Sequence, residues 1–231
     1  MSGRGSSPDD YRWFSGEGLQ KLHIASRHVL YLLEEGYGLK QTTTFVGNHF
    51  LLSERQRLAL CRSLATEEQT KGRKQREMND ISGRVLSIDG FNTIITLEIA
   101  FCHSLLLSCM DGTIRDLAGL RGTYRLIPET REAVKILLDT ASEGGAAGLH
   151  IYLDSPISNS GRLKSLILEE AEKDQSLPVE VEVIREVDKT LIEESCVVSS
   201  DSVILDHCGD WYNMNTRCIA KIGAETVQIW R

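Results

Sequence analysis

The chain has 231 residues, of which 41% are apolar and 26% charged, values typical of a globular protein and not of a disordered one. No apolar run approaches the roughly 18 residues of a membrane span, and the first twenty residues lack the apolar core of a signal peptide. We therefore expect a soluble, cytoplasmic protein with no membrane contact. The formal net charge is −7; residues 1–80 carry 12 Lys and Arg against 10 Asp and Glu, whereas residues 81–231 carry 14 against 23. Such an acidic body does not favour general binding along a phosphate backbone, which depends on Lys and Arg.

The six cysteines are scattered along the sequence. None forms a C-x-x-C pair, so a structural zinc site is not expected. Because most of them lie in apolar runs, we predict free thiols in a reducing compartment.

The N-terminal third predicts a small helical unit. Residues 1–18, rich in Gly, Ser and Asp, predict a flexible tail. Apolar residues then recur at helical spacing over residues 19–35, and a second short helix is predicted over 39–46. Ser53 begins S-E-R-Q, a capping-box pattern that predicts a third helix. Together these segments predict a small all-α domain over residues 19–65.

Basic residues follow and overlap this unit. Arg55, Arg57 and Arg62 give its last helix a basic face, which indicates either a solvated amphipathic helix or contact with nucleic acid. Residues 66–82 have almost no large apolar side chains and include four Lys and Arg. They predict a basic linker, and we place the domain boundary here.

From residue 83 onward, apolar strands alternate with helices. This alternation predicts parallel strand pairing with right-handed crossovers. The fold class is therefore α/β, a three-layer sandwich with a mainly parallel sheet over residues 83–231. The predicted strands are 84–88, 149–153, 179–184 and 196–199, with an apolar run at 104–109, a loop over 111–125 and a final strand or hairpin over 218–230. The predicted helices are 93–101, 129–141, 162–173 and 188–194.

Three acidic residues stand at the ends of predicted parallel strands: Asp89, Asp154 and Asp201. In an open α/β sheet these ends form the ligand crevice, so the three side chains are expected at one edge. Carboxylates held close together repel each other, so such a cluster requires bound cations or raised pKa values. Oxygen ligands of this kind suit Mg²⁺ or Mn²⁺, which would support phosphodiester hydrolysis. Asp89, Asp154 and Asp201 are therefore the candidate catalytic and metal-binding residues.

Other acidic residues leave alternatives open. Glu98 and Asp206 are further candidate metal ligands, and Asp111 and Asp116, in the polar loop between them, are additional candidates. An Asp after a strand is also a common helix N-cap, so capping is an alternative to metal binding at each strand end. Asp188, directly before K-T-L-I-E-E, is assigned to capping alone.

Candidate substrate-binding residues lie in three loops. Asn92, in the run Asp-Gly-Phe-Asn, would orient a phosphate or a metal-bound water, and Gly90 would let the backbone turn. Arg115 and Arg121 would clamp phosphate, although pairing of Arg115 with Asp116 in a structural network is equally open. In the loop SPISNSG, Ser158 and Ser160 precede a helix N-terminus, which can receive an anion.

Several long motifs resemble an uncharacterised prokaryotic two-domain family. They are SIDGFN, DGTIRDLAGLRGTYR, YLDSPISNSGRL and SSDSVILD, and EEGYGLKQTTTFVGNHFLLSERQRLAL resembles the domain of unknown function 434. The α/β part is more loosely similar to the PIN/NYN nuclease superfamily, whose strand-end acidic residues bind Mg²⁺ or Mn²⁺ and cut RNA. The positions that match are Asp89, Asn92, Asp154 and Asp201. The segment 101–125 departs from that superfamily, and Glu98 is an approximate match.

The leading expectation is a Mg²⁺- or Mn²⁺-dependent nuclease or phosphoesterase acting on RNA. The helical unit and the basic linker would recruit the RNA substrate. A non-catalytic nucleic-acid or protein adaptor, in which the acidic residues mostly cap helices, is the alternative. An α/β enzyme that handles a small phosphorylated metabolite is a third reading. A homo-oligomer is left open by the sequence.

Overall fold

A computed structural model of the chain describes residues 3–119, 122–173 and 177–231. The helices in these ranges are α1 (Asp10–Phe14), α2 (Gly16–Glu34), α3 (Leu39–His49), α4 (Glu54–Ser63), α5 (Glu67–Arg76), α6 (Gly90–Phe101), α7 (Pro128–Glu143), α8 (Ser160–Ala171), α9 (Val187–Glu193), α10 (Ser202–His207) and α11 (Met214–Ile222). The strands are β1 (Val85–Asp89), β2 (Leu106–Ser108), β3 (Ile114–Asp116), β4 (Gly148–Asp154), β5 (Val179–Ile184), β6 (Val197–Val198) and β7 (Val227–Gln228).

The main sheet is parallel and has the strand order β5-β4-β1-β6. Successive side chains of a strand point to opposite faces, and here each face is covered by helices. Ile151 and Leu153 enter the core shared with α6 and α7, whereas Tyr152 enters a separate core shared with α9 and α10. The two cores on opposite faces of one parallel sheet confirm the predicted three-layer α/β fold with a helical region before it.

The predicted helical unit is present as α2, α3 and α4. The capping box predicted at Ser53 is formed: its hydroxyl accepts from the Gln56 N–H, and the Gln56 amide accepts from the Ser53 N–H. The predicted tail contains α1, in which Phe14 is buried in the helical core. Residues 3–18 therefore pack onto the protein.

The basic face predicted for α4 is used in packing. Arg55 forms an ion pair with Asp10, and Arg57 donates to the Leu52 carbonyl and to the Asn48 side chain. Arg62 reaches the β3 region, where it pairs with Asp116. The guanidinium groups of Arg55 and Arg57 are thus engaged within the protein and do not form an open surface for nucleic acid.

A second sheet, with the order β3-β2-β7, was not predicted from the sequence. β2 pairs antiparallel with β3 and parallel with β7. Leu107 of β2 and Ile229 pack into the same core as Leu22 and Leu60 of the helical unit. The helical unit and the C-terminal part therefore share one hydrophobic core.

Two local predictions are corrected by the structure. Residues 218–222 of the predicted final strand or hairpin belong to α11, since Met214, Cys218 and Ile222 pack in the main core at helical spacing, whereas Val227–Gln228 form the strand β7. The predicted linker contains α5, which begins with a second capping box at Thr66. Its exposed Lys71 and Lys74 pair with Glu67 and Glu77, so acidic neighbours balance part of the basic charge of this segment.

Composition-based expectations can also be compared with the fold. All six cysteines are free thiols, and four of them are buried. Among the described residues, no helix combines the length and the apolar character that crossing a bilayer requires.

Arg73 of α5 is the centre of a buried ion network. Its side chain is 2% exposed and donates to Asp111 at 2.7 Å and to Asp206 at 2.7 Å. Its backbone carbonyl accepts from the buried Trp211 indole at 2.7 Å. A buried guanidinium needs such partners because an unpaired buried charge is strongly destabilising. The network attaches α5 to the β2–β3 turn and to α10.

Replacing Arg73 with Ala should lower the free energy of unfolding by about 3–5 kcal/mol, because Asp111 stays buried without this partner. Urea denaturation at neutral pH measures the change. The matched control is Lys71→Ala on the same helix, whose ion pair with Glu67 is exposed, and it should leave the urea midpoint where it is. An Arg73→Ala chain as stable as the wild type would contradict the stabilising role of the network.

Candidate active site

The carboxyl end of the main sheet brings the three predicted strand-end carboxylates together. Asp89 ends β1, Asp154 ends β4, and Asp201 follows β6. All three line one cavity of about 200 Å³. The strand order makes this possible, because β1 lies between β4 and β6.

Two more carboxylates line the same cavity. Asp116 comes from the end of β3, and Asp188 comes from the first turn of α9. The assignment of Asp188 to capping is wrong, since the N-cap position of α9 is occupied by Glu186 in a left-handed conformation. We call this cavity the acidic cleft. It is defined by Asp89, Asp116, Asp154, Asp188 and Asp201.

Capping and cleft lining coexist at two of these positions. The Asp89 side chain is the N-cap of α6 and accepts from the Asn92 N–H at 3.3 Å. Asp201 is the N-cap of α10 and accepts from the Val203 N–H at 2.7 Å. A carboxylate has several acceptor sites, so one hydrogen bond to a helix end leaves others available. Asp89 and Asp201 therefore cap helices and line the cleft at the same time.

Carboxylates outnumber cations in the cleft. Burial, followed by the charges of Asp201 and Asp188, raises the pKa of Asp89 to about 7, although hydrogen bonds from Ser199 and Asn92 oppose the shift. Burial and the nearby Asp188 raise the pKa of Asp154. Burial and the nearby Asp201 raise the pKa of Asp188. Three carboxyl groups thus resist ionisation at one site, a pattern typical of functional sites.

The Asp-Gly-Phe-Asn turn, residues 89–92, forms part of the lining of the cleft. A Cβ on Gly90 would lie 2.6 Å from a Leu153 methyl group and 2.8 Å from the Tyr152 carbonyl oxygen, so a side chain is excluded where β1 passes β4. The Asn92 amide oxygen accepts from both the N–H and the hydroxyl of Ser200, each at 2.9 Å. Asn92 therefore ties the first turn of α6 to the loop after β6.

A cation from the helical unit reaches this cleft. Arg62 of α4 lines it, beside Asp116, with 3.3 Å between an Arg62 terminal nitrogen and Asp116 Oδ1. Asp116 is held in turn by the Thr96 hydroxyl at 2.8 Å and the Ala118 N–H at 2.7 Å. The sequence placed Arg62 only on a helical face, because no local pattern signals a contact with β3.

A smaller cavity of about 130 Å³ adjoins the acidic cleft. We call it the side pocket. It shares Arg62, Asn92, Asp116 and Asp201 with the cleft, and its other lining residues are Cys61, Arg115, Ser200 and Ser202. Two arginines and two hydroxyl residues thus lie next to the carboxylates.

Two predicted metal ligands lie elsewhere, and we exclude them from the site. Glu98 is fully buried, accepts from the Tyr124 hydroxyl at 2.7 Å and pairs with Arg4 at 2.7 Å. Asp206 pairs with Arg73 at the far side of α10. Each carboxylate is already neutralised by a protein partner, and neither lines the acidic cleft.

Predicted phosphate-binding residues are also largely occupied. All three nitrogens of the Arg115 guanidinium donate to protein groups, namely the Ser200 carbonyl, the Arg62 carbonyl and Asp111. The structural alternative for Arg115 is thus correct, although its ion-pair partner is Asp111 and not Asp116. Arg121 lies outside the described residues.

The SPISNSG loop packs beside the cleft. The Ser158 hydroxyl accepts from the Tyr124 N–H at 3.0 Å, and the Asn159 amide donates to the Tyr124 carbonyl. Ser160 is the first residue of α8 and is largely buried. From this loop, Ile157 lines the acidic cleft. Ser158 and Asn159 therefore fix the loop against Tyr124, and neither Ser158 nor Ser160 lines the cleft.

The donor set of the cleft can be tested against a metal ion. Within the ranges that the structure describes, no three Asp, Glu, His or Cys side chains lie close enough to share one ion. Mg²⁺, however, typically retains several waters and binds one or two carboxylates together with substrate phosphates. Oxygen donors with raised pKa values therefore fit Mg²⁺ or Mn²⁺ bound by few protein ligands, and they do not fit a closed cage.

Comparison with known proteins places the chain in a family. Residues 21–76 match the model described as protein of unknown function (DUF434), and residues 78–217 match the domain of unknown function DUF5616. The chain belongs to this two-domain family. It is 30% identical over 206 residues to the uncharacterized protein MJ0935 of Methanocaldococcus jannaschii, covering 88% of this chain and 95% of that protein. No solved structure matches the chain.

The family division falls across the candidate site. The DUF5616 region supplies all five carboxylates of the acidic cleft, and the DUF434 region supplies Arg62. The two family regions therefore meet at one cavity.

Asp89→Asn should make the stability of the protein less dependent on pH. Between pH 3.8 and about 7, the folded protein keeps a proton on Asp89 that the unfolded chain has released. Wild-type stability therefore falls as the pH rises through this window, by on the order of a few kcal/mol, and this loss is absent in Asp89→Asn. Urea denaturation at several pH values in a chelator-containing buffer measures it. The exposed control Asp80→Asn should show the same dependence of unfolding free energy on pH as the wild type. If Asp89→Asn shows that same dependence, the raised pKa of the buried Asp89 would be contradicted.

Proposed function

We propose that this protein is a Mg²⁺- or Mn²⁺-dependent phosphodiesterase that cleaves RNA in the acidic cleft. The observation that carries the proposal is the set of five carboxylates in one cavity of about 200 Å³, at the carboxyl ends of parallel strands. Like charges held at one site need a compensating cation or a proton. The resemblance of the strand-end positions to the PIN/NYN nucleases supports the same chemistry.

In this proposal the residues have distinct roles. Asp89, Asp154 and Asp201 would hold the cation, one or two of them directly and the others through its bound waters, and Asp188 would add negative charge on the α9 side. A bound divalent cation would supply an activated water and stabilise the leaving oxygen in phosphodiester hydrolysis. Asn92 would keep the Ser200 loop in place, so that Asp201 stays beside Asp89.

The proton state of Asp89 bears on this chemistry. In the metal-free protein the pKa of Asp89 is raised to about 7, so its carboxyl group loses its proton near neutral pH. The Ser199 hydroxyl donates to Oδ2 at 2.9 Å and fixes the orientation of the carboxylate. A cation competes with the proton for the same oxygens, so we expect metal affinity to rise with pH.

A non-catalytic nucleic-acid or protein adaptor is the second candidate. It is favoured by the absence, among the described residues, of any three potential ligands close enough for one ion. It is also favoured by the helix-capping bonds of Asp89 and Asp201. In this case the cleft carboxylates would order loops, and RNA would be bound without hydrolysis.

Metal binding is tested by thermal unfolding with Mn²⁺ or Mg²⁺. A ligand that binds only the folded state raises the melting temperature by mass action. We expect both ions to raise it for the wild type and for the exposed control Glu180→Gln, and the rise to be largely lost in Asp89→Asn. A wild type that responds to neither ion would count against the metal site.

Hydrolysis is tested with a labelled single-stranded RNA in Mg²⁺ or Mn²⁺. Asp154→Asn should lower the cleavage rate by about 100-fold or more, the usual effect of removing one group that stabilises developing charge. Glu180→Gln on the exposed part of β5 should cleave like the wild type. Binding of RNA without cleavage in either ion would instead support the adaptor.

A further inference from the structure

Arg62 is the cation that lines the described acidic cleft, and it does not belong to the α/β part of the chain. It extends from the last turn of α4 toward the end of β3. Five carboxylates surround the same cavity. An RNA phosphate entering there would be repelled by the carboxylates that a bound metal ion leaves unneutralised, and Arg62 is positioned to offset that repulsion.

The contacts of Arg62 leave it available to a ligand. Its side chain is 33% exposed, and two of its contacts, to Asp116 Oδ1 and to the Ala118 carbonyl, are long at 3.3 Å. A guanidinium has five N–H donors, so donors remain after these bonds and the one to the Asp116 carbonyl. Arg55, by contrast, holds Asp10 with two nitrogens and donates to two backbone carbonyls.

The backbone of Arg62 is fixed although its side chain is not fully engaged. The Arg62 carbonyl accepts from Arg115, which is itself buried and bonded to Asp111 and to the Ser200 carbonyl. The neighbouring Ser63 carbonyl accepts from the Met110 N–H at 3.0 Å. The end of α4 is therefore held by the β2–β3 turn, which presents the guanidinium between the acidic cleft and the side pocket.

We infer that Arg62 binds a phosphate of the RNA strand at the border of the acidic cleft and the side pocket, so that the helical region completes the site. The inference rests on the proposed function. Phosphate would replace the long contact to Asp116 and engage the planar guanidinium with two parallel hydrogen bonds. Arg62 is therefore a substrate-binding residue, and Arg115 positions it.

The test is the binding of a fluorescein-labelled single-stranded RNA, measured by anisotropy in Ca²⁺ at several salt concentrations. A gel after each titration checks that the strand is intact. Arg62→Ala should weaken binding about tenfold and should reduce the slope of log affinity against log salt by about 0.7, the value for one lost phosphate contact on a single strand. Arg62→Lys should keep the slope and lose part of the affinity, because the charge remains and the two-pronged geometry does not.

Arg57→Ala is the matched control, since Arg57 lies on the same helix and lines neither cavity. It should keep both the affinity and the slope of the wild type. Far-UV circular dichroism and the thermal midpoint of each variant show whether it is folded, and a purely structural effect of Arg62→Ala would not change the salt slope of the folded fraction. Wild-type affinity and slope in Arg62→Ala would overturn the inference and leave the proposed function standing. A wild type that binds no RNA would overturn both.

Discussion

The buried carboxylate of Asp111 holds the candidate site together. It accepts from Arg73 of α5 and from Arg115 of β3, and both guanidinium groups are themselves almost fully buried. Burial alone would raise the pKa of Asp111, but the charge of Arg115, the Thr113 hydrogen bond and Arg73 hold it below its ordinary value. Through Arg115 this carboxylate fixes the Ser200 carbonyl and the end of α4. The loop of Asp201 and the position of Arg62 both depend on that arrangement.

The acidic cleft has the opposite electrostatic character. Asp111 is neutralised by two cations, whereas Asp89, Asp154 and Asp188 share a cavity with raised pKa values, and Arg62, paired with Asp116, is the one cation that lines this cavity in the described part of the chain. A fold gains no stability from such an arrangement, because ionising these groups near neutral pH costs free energy. Selection for stability alone would favour neutral side chains at these positions. The carboxylate of Asp111 is thus matched by cations, whereas the carboxylates of the nearby acidic cleft are not. This contrast is the reason why we propose a chemical role for the cleft.

Much of the α/β part could be predicted from local patterns. The strand Val179–Ile184 and the helices around Glu129 and Arg162 follow from apolar periodicity and from their flanking turns. The convergence of Asp89, Asp154 and Asp201 was predictable as well, because the alternation of strands and helices implies parallel pairing and parallel strands end at one edge. The second sheet was not predictable. The apolar run at 104–109 and the predicted final strand contain β2 and β7, but no local pattern indicates that β2 pairs with both β3 and β7, and β3 lies within a predicted loop.

The sequence by itself thus determined the layered fold, the helical region before it and the edge at which three carboxylates meet, since each depends on spacing within a segment. The tertiary structure alone decided which charged groups are neutralised. Glu98 and Asp206 were candidate metal ligands in the sequence, but in the folded protein they lie outside the cleft and pair with Arg4 and Arg73. Arg62 and Asp188 enter the cleft for the same reason, because ion pairs and cavity walls join residues far apart in the chain, and no local pattern encodes those distances.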